Sequence, residues 1–377
     1  MKEGWEYKKL GEVCEITMGQ SPDSKSYNKD GRGLPFFQGC ADFGILNPNI
    51  SKYCSEPKKV AEPLDILMSV RAPVGTLNIA NTKCCIGRGL ASFREIKNKS
   101  SYKFLYYLLK SSEKYFQDNS TGATFKAIGK ELVVNYKIKI PSIYKQIEIS
   151  SELDLLSGVI EKQKAQLEEL DKLAQSIFYD MFGGKEWEKK KIKEIASVKI
   201  GPFGSALHQH DYISGGTPLV NPIHMANGKI KADNDFSIDD NKKKELSAYL
   251  LKENDIVFGR RGDIGRCALV TNKEDGYLCG TGSLFVRFNI EISPIYSLIQ
   301  LSSNDTKQYL IDNARGATML NLNSSIIEGI MLPLPPLSLQ QEFASKIEAI
   351  ESMKAKVRQS LSEAETLFNE RMDYYFN

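Results

Sequence analysis

The stretch IPSIYKQIEISSELDLLSGVIEKQKAQLEELDKLAQSIFYDMF (residues 140–182) decides how the chain is read. It recurs 194 positions later as LPPLSLQQEFASKIEAIESMKAKVRQSLSEAETLFNERMDYYF (334–376). Ile140, Pro141, Gln146 and Glu148 fall on Leu334, Pro335, Gln340 and Glu342, and the register then holds without a gap until Phe182 meets Phe376. In the first copy, alternating steps of four and three pick out Ile149, Leu153, Leu156, Ile160, Gln163, Leu167, Leu170, Ala174, Ile177 and Met181, nine of the ten apolar. Their counterparts are Phe343, Ile347, Ile350, Lys354, Val357, Leu361, Ala364, Phe368, Arg371 and Tyr375, eight of them apolar. A repeat of about 3.5 residues marks helices wound on one another rather than lone amphipathic helices. At about 38 residues and ~1.5 Å per residue, each helix should run roughly 57 Å. Leu153, Leu156, Ile160, Leu167, Leu170 and Ile177 on one helix, and Ile347, Ile350, Val357, Leu361 and Phe368 on the other, are the expected interface.

The repeat reaches beyond the helices. Trp5, Leu10, Glu12 and Gly19 match Trp187, Ile192, Glu194 and Gly201 at an offset of 182. Asp65, Ile66 and Gly75 match Asp255, Ile256 and Gly265 at 190, and Asn119, Gly122, Ala123 and Thr124 match Asn313, Gly316, Ala317 and Thr318 at 194. The chain is a tandem duplication whose second copy gained residues in its middle. The expected order is a globular domain (1–143), a helix (144–182), a second globular domain (183–337) and a second helix (338–377). Inside the domains, Asp65–Val70, Leu90–Phe93, Asp255–Phe258 and Ser283–Phe288 are short β-branched and aromatic runs bounded by Gly, Pro and Asn, which predict strands. A helix is expected over Ser101–Gln117, with a counterpart at Pro294–Ile311. Ser338 with Gln341 suggests a capping box. The expected fold is therefore mixed α/β: two globular domains separated by an antiparallel two-helix coiled coil, related by a pseudo-two-fold axis. Antiparallel pairing is forced by the short Gly183–Glu186 link from the first helix to the second domain.

Composition narrows the function classes. The chain has 377 residues, is 41% hydrophobic and carries a formal net charge of only +3, so any basic surface must be local. No apolar run approaches the ~18 residues of a membrane span, and MKEGWEYKK is no signal peptide, so a cytoplasmic protein with no membrane contact is expected. The odd set of seven cysteines has no CxxC spacing and suits reduced core residues. His208 and His210 form an HxH pair with only His224 as a third histidine, which suits a loop donor better than a metal site. No phosphate loop, GxSxG or HExxH motif occurs, nor an Asn/Asp-Pro-Pro-aromatic tetrapeptide that would hold a flipped adenine. No catalytic site and no metal site are expected.

Basic residues beside glycine recur at loops. Arg71, Arg88 and Lys126 stand in the first copy; Arg260, Arg261, Arg266 and Arg315 stand in the second. Arginine forks suit guanine edges and phosphates, and glycine lets a backbone approach closely. The loops holding Gln20, Ser21 and Lys25, and Ser205, His208 and His210, complete the candidate DNA contacts.

These pieces resemble the specificity subunit of type I restriction–modification systems over essentially the full chain. The resemblance rests on WEYKKLGEVCEITMGQSP (5–22), WEKKKIKEIASVKIGPFGSAL (187–207), and the segments running from GAT at 122 to 149 and from GAT at 316 to 343. It implies two target-recognition domains, each reading one half of a bipartite, asymmetric duplex DNA site, with the helices setting the gap. It also implies no catalysis by this subunit and no cofactor of its own. Two methyltransferase subunits would bind S-adenosylmethionine, and restriction subunits in the full complex would use ATP.

Overall fold

The β-branched runs form strands where the pattern predicts them. In the structure, a computed structural model that describes residues 4–122, 126–203, 206–261, 264–314 and 321–377, the first domain holds an antiparallel sheet in the order Cys14–Met18, Leu90–Glu95, Ile66–Ser69, Leu77–Ile79. The second domain repeats it as Ala196–Ile200, Ser283–Phe288, Ile256–Gly259, Cys267–Leu269. Even the register is repeated: Ala91 faces Met18 and Leu284 faces Ile200. Ile66–Ser69 and Ile256–Gly259 are buried along their whole length, which explains runs without polar alternation. A second small sheet in each domain contains one parallel pair, Phe36–Phe37 with Cys85–Ile86 and Leu219–Val220 with Leu278–Cys279.

Each domain is closed by its own ends. Glu6–Lys9 pairs antiparallel with Lys137–Ile140, and Lys189–Lys191 with Met331–Pro333. Shortly after the clasp comes a buried glutamine whose repetition the sequence shows but whose contacts it does not. Gln146 accepts from the Ser101 amide at 3.0 Å and donates to the carbonyls of Lys99 and Pro141. Gln340 repeats this, accepting from the Ser293 amide at 3.0 Å and donating to Pro335 at 2.8 Å. The glutamine thus supplies the polar closure at the helix start. Ser338 lies inside the helix Leu337–Phe376, so the expected capping box is replaced by Gln340.

The helix expected over Ser101–Gln117 is two helices, Tyr102–Ser111 and Glu113–Asp118. The Ser112 hydroxyl donates back to the Leu108 carbonyl at 2.7 Å and accepts from the Tyr136 hydroxyl, which diverts the chain between turns. Its counterpart is likewise split, into Pro294–Leu301 and Asn304–Asn313, with Ser303 capping the second piece at the Thr306 amide.

The protein divides into two compact units, Met1–Gln166 with Val357–Asn377, and Leu167–Lys356. Each takes half of both forty-residue helices, Ile143–Phe182 and Leu337–Phe376. In the first unit, Glu152 pairs with Arg371 at 2.8 Å and accepts from the Tyr375 hydroxyl, while Gln163 donates to the Ser360 hydroxyl at 2.6 Å. In the second, Phe178 and Phe182 pack their rings 5.7 and 5.2 Å from Phe343, and Asp171 meets Lys354 at 2.5 Å. Numbers rise on one helix as they fall on the other, so the segments run antiparallel within each unit.

The seam positions of the first helix are all buried or half-buried, Leu153, Ile160 and Leu170 among the most enclosed. On the second helix, Ile347, Ile350 and Phe368 are buried, and Val357 and Leu361 half-buried. One position departs from the pattern: Met372 is buried and Arg371 exposed. The last step is therefore four then three, which keeps the guanidinium in water beside Glu152.

Lys354 is the buried polar break in this seam. Its side chain is 8% exposed, and its ammonium is held by Asp171 and by Glu351 at 3.0 Å. Burial pulls its pKa down, but the hydrogen bonds its ammonium donates to both carboxylates outweigh that and the net shift is upward. Replacing a paired buried ion by an apolar residue of similar volume is often neutral or stabilising, while stranding it is costly. Lys354→Met should therefore leave the melting temperature unchanged or raised, and Asp171→Ala, which removes a largely exposed partner and leaves Glu351 in place, should lower stability by about 1 kcal/mol or less. Urea denaturation of the two variants checks this; a larger loss for Lys354→Met than for Asp171→Ala would contradict it.

All seven cysteines are free, six of them buried. Burial pushes the Cys14, Cys84 and Cys267 thiols up to about 12, as suits inert core groups. No helix among the described residues is long and apolar enough to cross a membrane.

Candidate nucleic-acid interface

At one end of each four-stranded sheet, three turns meet. In the first domain they are the turn after Cys14–Met18, the turn after Ile66–Ser69 and the Gly87–Gly89 turn before Leu90–Glu95. The Gly19 amide donates to the Leu90 carbonyl at 2.8 Å, the Gln20 amide to Ile86, the Val70 amide to Gly89 at 2.9 Å, and the Ile128 amide to Val70 at 3.0 Å. The second domain repeats three of the four: Gly201 to Ser283 at 3.0 Å, Arg260 to Gly282 at 2.9 Å, and Leu322 to Arg260 at 3.0 Å; the fourth is lost because Pro202 stands at the Gln20 position and has no amide hydrogen. Isolated bridges join Arg71 to Ala127 and Arg261 to Asn321 at the same place. Glycine is needed at this node because a Cβ on Gly19 would lie 2.2 Å from the Gly87 carbonyl oxygen, and one on Gly201 2.1 Å from that of Gly280.

The node gathers most of the first domain's candidate contacts. Gln20, Arg71, Arg88 and Lys126 are exposed, and Ser21 is half-buried with its hydroxyl accepting from the Arg88 amide at 3.3 Å. Lys126 is tied in through its carbonyl, which accepts from Ala72 at 3.0 Å. Lys25 is exposed on the Ser24–Ser26 turn, whose Asp23 cap accepts from the Lys25 amide at 2.9 Å. Among the described residues, the guanidiniums of Arg71 and Arg88 have no partner within the chain.

In the second domain the arginines divide. Arg261 is exposed and its guanidinium has no partner among the described residues. Arg260 is half-buried and donates to the Leu322 carbonyl at 3.0 Å; burial, with Arg261 adjacent, lowers its pKa from the ordinary value. Arg266 donates to the Pro222 carbonyl at 3.0 Å and braces that loop. Arg260 and Arg261, with Ile200, the exposed ring of Phe203, Thr281 and Gly282, line a recess of about 380 Å³. Phe203 lacks a cationic or hydrogen-bonding group, so the sequence offered only its loop, not its ring, as a contact.

His208 and His210 are exposed on the Gln209–Asp211 turn, their rings 5.3 Å apart and nearly parallel. The Asp211 carboxyl accepts from the His208 amide at 2.7 Å, which holds it below the ordinary carboxylate range, with Lys242 adding to the effect. His224 is buried elsewhere, its Nδ1 2.9 Å from the Leu219 carbonyl. Among the described residues no cluster of three or more His, Cys, Asp or Glu could hold a metal ion. Ser205 and Arg315 lie outside the described residues.

At the opposite end of each four-stranded sheet from the node sits a buried carboxylate. Asp65 takes Arg94 in a two-pronged pair at 2.9 Å, and Asp255 takes Arg287 at 2.8 and 2.6 Å. These pairs tie the strands together, with the carboxylates buried and the guanidiniums part-exposed. They are structural arginines, and neither belongs to the exposed set.

The model of the type I restriction modification DNA specificity domain matches residues 2–172 and 184–365, one match per copy. The putative type I restriction enzyme MjaX specificity subunit of Methanocaldococcus jannaschii is 42% identical over 185 residues, 48% of this chain and 44% of that relative. The chain thus spans under half the length of that relative in the matched part. The MjaIX specificity subunit of the same organism is 25% identical across 92% of this chain and 86% of its own. The crystal structure of the type I restriction–modification S subunit from M. genitalium superposes with a TM-score of 0.65 at 16% identity, over 99% of this chain and 96% of that one, and so shares its fold. Two matched domains, each carrying the same three-turn node and each followed by a forty-residue helix, place this chain in the family of type I restriction–modification DNA specificity subunits.

Proposed function

We propose that the chain is the non-catalytic DNA-recognition subunit of a type I restriction–modification complex. Each globular domain reads one half of a bipartite, asymmetric duplex site through its three-turn node. The long helices set the gap between half-sites and dock two methyltransferase subunits, which carry S-adenosylmethionine; restriction subunits in the full complex use ATP. The observation that carries this reading is the duplicated exposed arginine, Arg71 and Arg261, on the same backbone bridge in both domains. An exposed, unpaired guanidinium beside closely packed glycine turns can approach a phosphate or a guanine edge. The docking role is supported by apolar side chains left outside the seam, such as Tyr144, at 83% exposed, and Leu155, at 72%.

Arg71→Ala and Arg261→Ala should each weaken binding to the target duplex by about 1–3 kcal/mol. A guanine contact would relax specificity at one position of one half-site. A phosphate contact would weaken all sequences alike and reduce the salt slope by about one unit. Fluorescence anisotropy on the complex with its methyltransferase subunits, at several salt concentrations, separates the two. Unchanged affinity in both variants would remove the node from the interface.

A further inference from the structure

The duplication provides its own control for a surface that differs between the copies. In the first domain, Asp154 on the long helix is capped by its neighbour helix: the Lys103 ammonium pairs with it at 2.5 Å and the Tyr107 hydroxyl donates to it at 2.8 Å. The glutamine closures align Ser101 with Ser293 and Gln146 with Gln340. By that alignment, Lys103 corresponds to Ile295, Tyr107 to Ile299 and Asp154 to Glu348. Both capping groups are therefore apolar in the second domain, and Glu348 is exposed with no ion pair among the described residues.

The position is open in the second domain. Two adjoining recesses of about 810 and 760 Å³ share Leu269, Thr271, Ile295 and Glu348. Their floor is apolar: besides Leu269 and Ile295 it includes Leu298, Ile299 and Ile347. The rim is acidic. Glu253, Glu291 and Glu348 are exposed and form no ion pair among the described residues, whereas Lys229 is engaged by Glu351 at 3.2 Å and Arg287 by Asp255. Lys273 is the rim's one remaining cation among the described residues.

We infer that this groove is a docking site for a basic amphipathic polypeptide segment, one with an apolar face bordered by lysine or arginine, contributed by a partner subunit. An apolar floor with several unpaired carboxylates suits such a segment and repels a phosphate backbone. Because the first domain fills the equivalent place with its own Lys103 and Tyr107, only one copy of the segment binds per chain. The inference rests on reading the chain as one subunit of a larger complex.

The test uses the full chain and a fluorescein-labelled helical peptide of leucine and lysine, with a leucine–glutamate twin as control. Ile295→Lys with Ile299→Tyr installs the first domain's own cap, and Glu348→Lys reverses one rim charge on the surface. Each should weaken the lysine peptide at least about tenfold, the glutamate twin should bind no better to wild type than the lysine peptide binds the capped variant, and titration should give one site. Equal binding by wild type and the capped variant, two equivalent sites, or displacement of the peptide by duplex DNA would overturn the inference. Target-duplex binding by the capped variant is measured in parallel. Its retention alongside lost peptide binding separates the groove from the node. Loss of duplex binding by wild type itself counts against the recognition reading and not against the groove.

Discussion

Exchanging residues 1–143 for the same region of a relative with a different target is expected to rewrite one half of the recognised site and leave the other half unchanged. The physical basis is closure. Glu6–Lys9 and Lys137–Ile140 pair with each other, so both ends of the exchanged segment travel together. Gln146 stays behind, and its closure needs only an amide at the Ser101 position and a carbonyl at the Lys99 position, backbone groups that any residue but proline supplies at the first and any residue at the second. The exchanged domain brings its own node, while Arg261, Phe203 and their neighbours remain. Specific DNA binding exceeds non-specific binding by typically 10³-fold or more. Preference for the original first half should therefore fall by about a thousandfold, with the second half read as before. Mapping the methylated motif in DNA from cells expressing the chimaera with its methyltransferase partner gives the answer directly. A change in both halves, or in neither, would show that the domains do not read independently.

Truncating Phe104 to alanine should produce the largest single-residue loss of stability. The side chain is fully buried, with the Trp5 ring at 6.4 Å and the Phe376 ring at 5.4 Å, so it joins the domain's first residues, its helix and the end of the second long helix. Large-to-small substitution at such a site costs about 3–5 kcal/mol, because the cavity cannot collapse when three separate segments frame it. Calorimetry should show a fall of roughly 6–20 °C in the transition of the unit containing it. The counterpart Tyr296 is equally buried, packs 4.9 Å from Phe182 and donates its hydroxyl to the Pro333 carbonyl at 2.9 Å. Tyr296→Ala should lower the transition of the unit Leu167–Lys356 and leave the other in place. A single transition shifted equally by either variant would mean that the two units unfold as one.

Much of this architecture is local pattern, which is why it was legible in the chain. A step of four and three over forty residues admits only a long helix with one apolar face, and Leu153, Ile160, Leu170, Ile347 and Phe368 lie inward accordingly. A fixed offset between Asp65 and Asp255, or Gln146 and Gln340, needs no structure to be seen, and it determined that two copies of one domain are present. What each repeated residue does was decided by contacts between segments far apart in sequence. Gln146 and Gln340 became closures because their amides meet backbone groups some 45 residues upstream. Arg260 and Arg266 were drawn to the carbonyls of Leu322 and Pro222, whereas Arg71 and Arg261, alike in sequence context, were left exposed. The groove of the second domain is invisible in the chain because Ile295 and Ile299 look like ordinary core positions of a helix. Only the fold sets them opposite Glu348, where the first domain has a lysine and a tyrosine. Periodicity specifies an element and its inward face; which side chain finds a partner depends on the geometry that brings distant segments together.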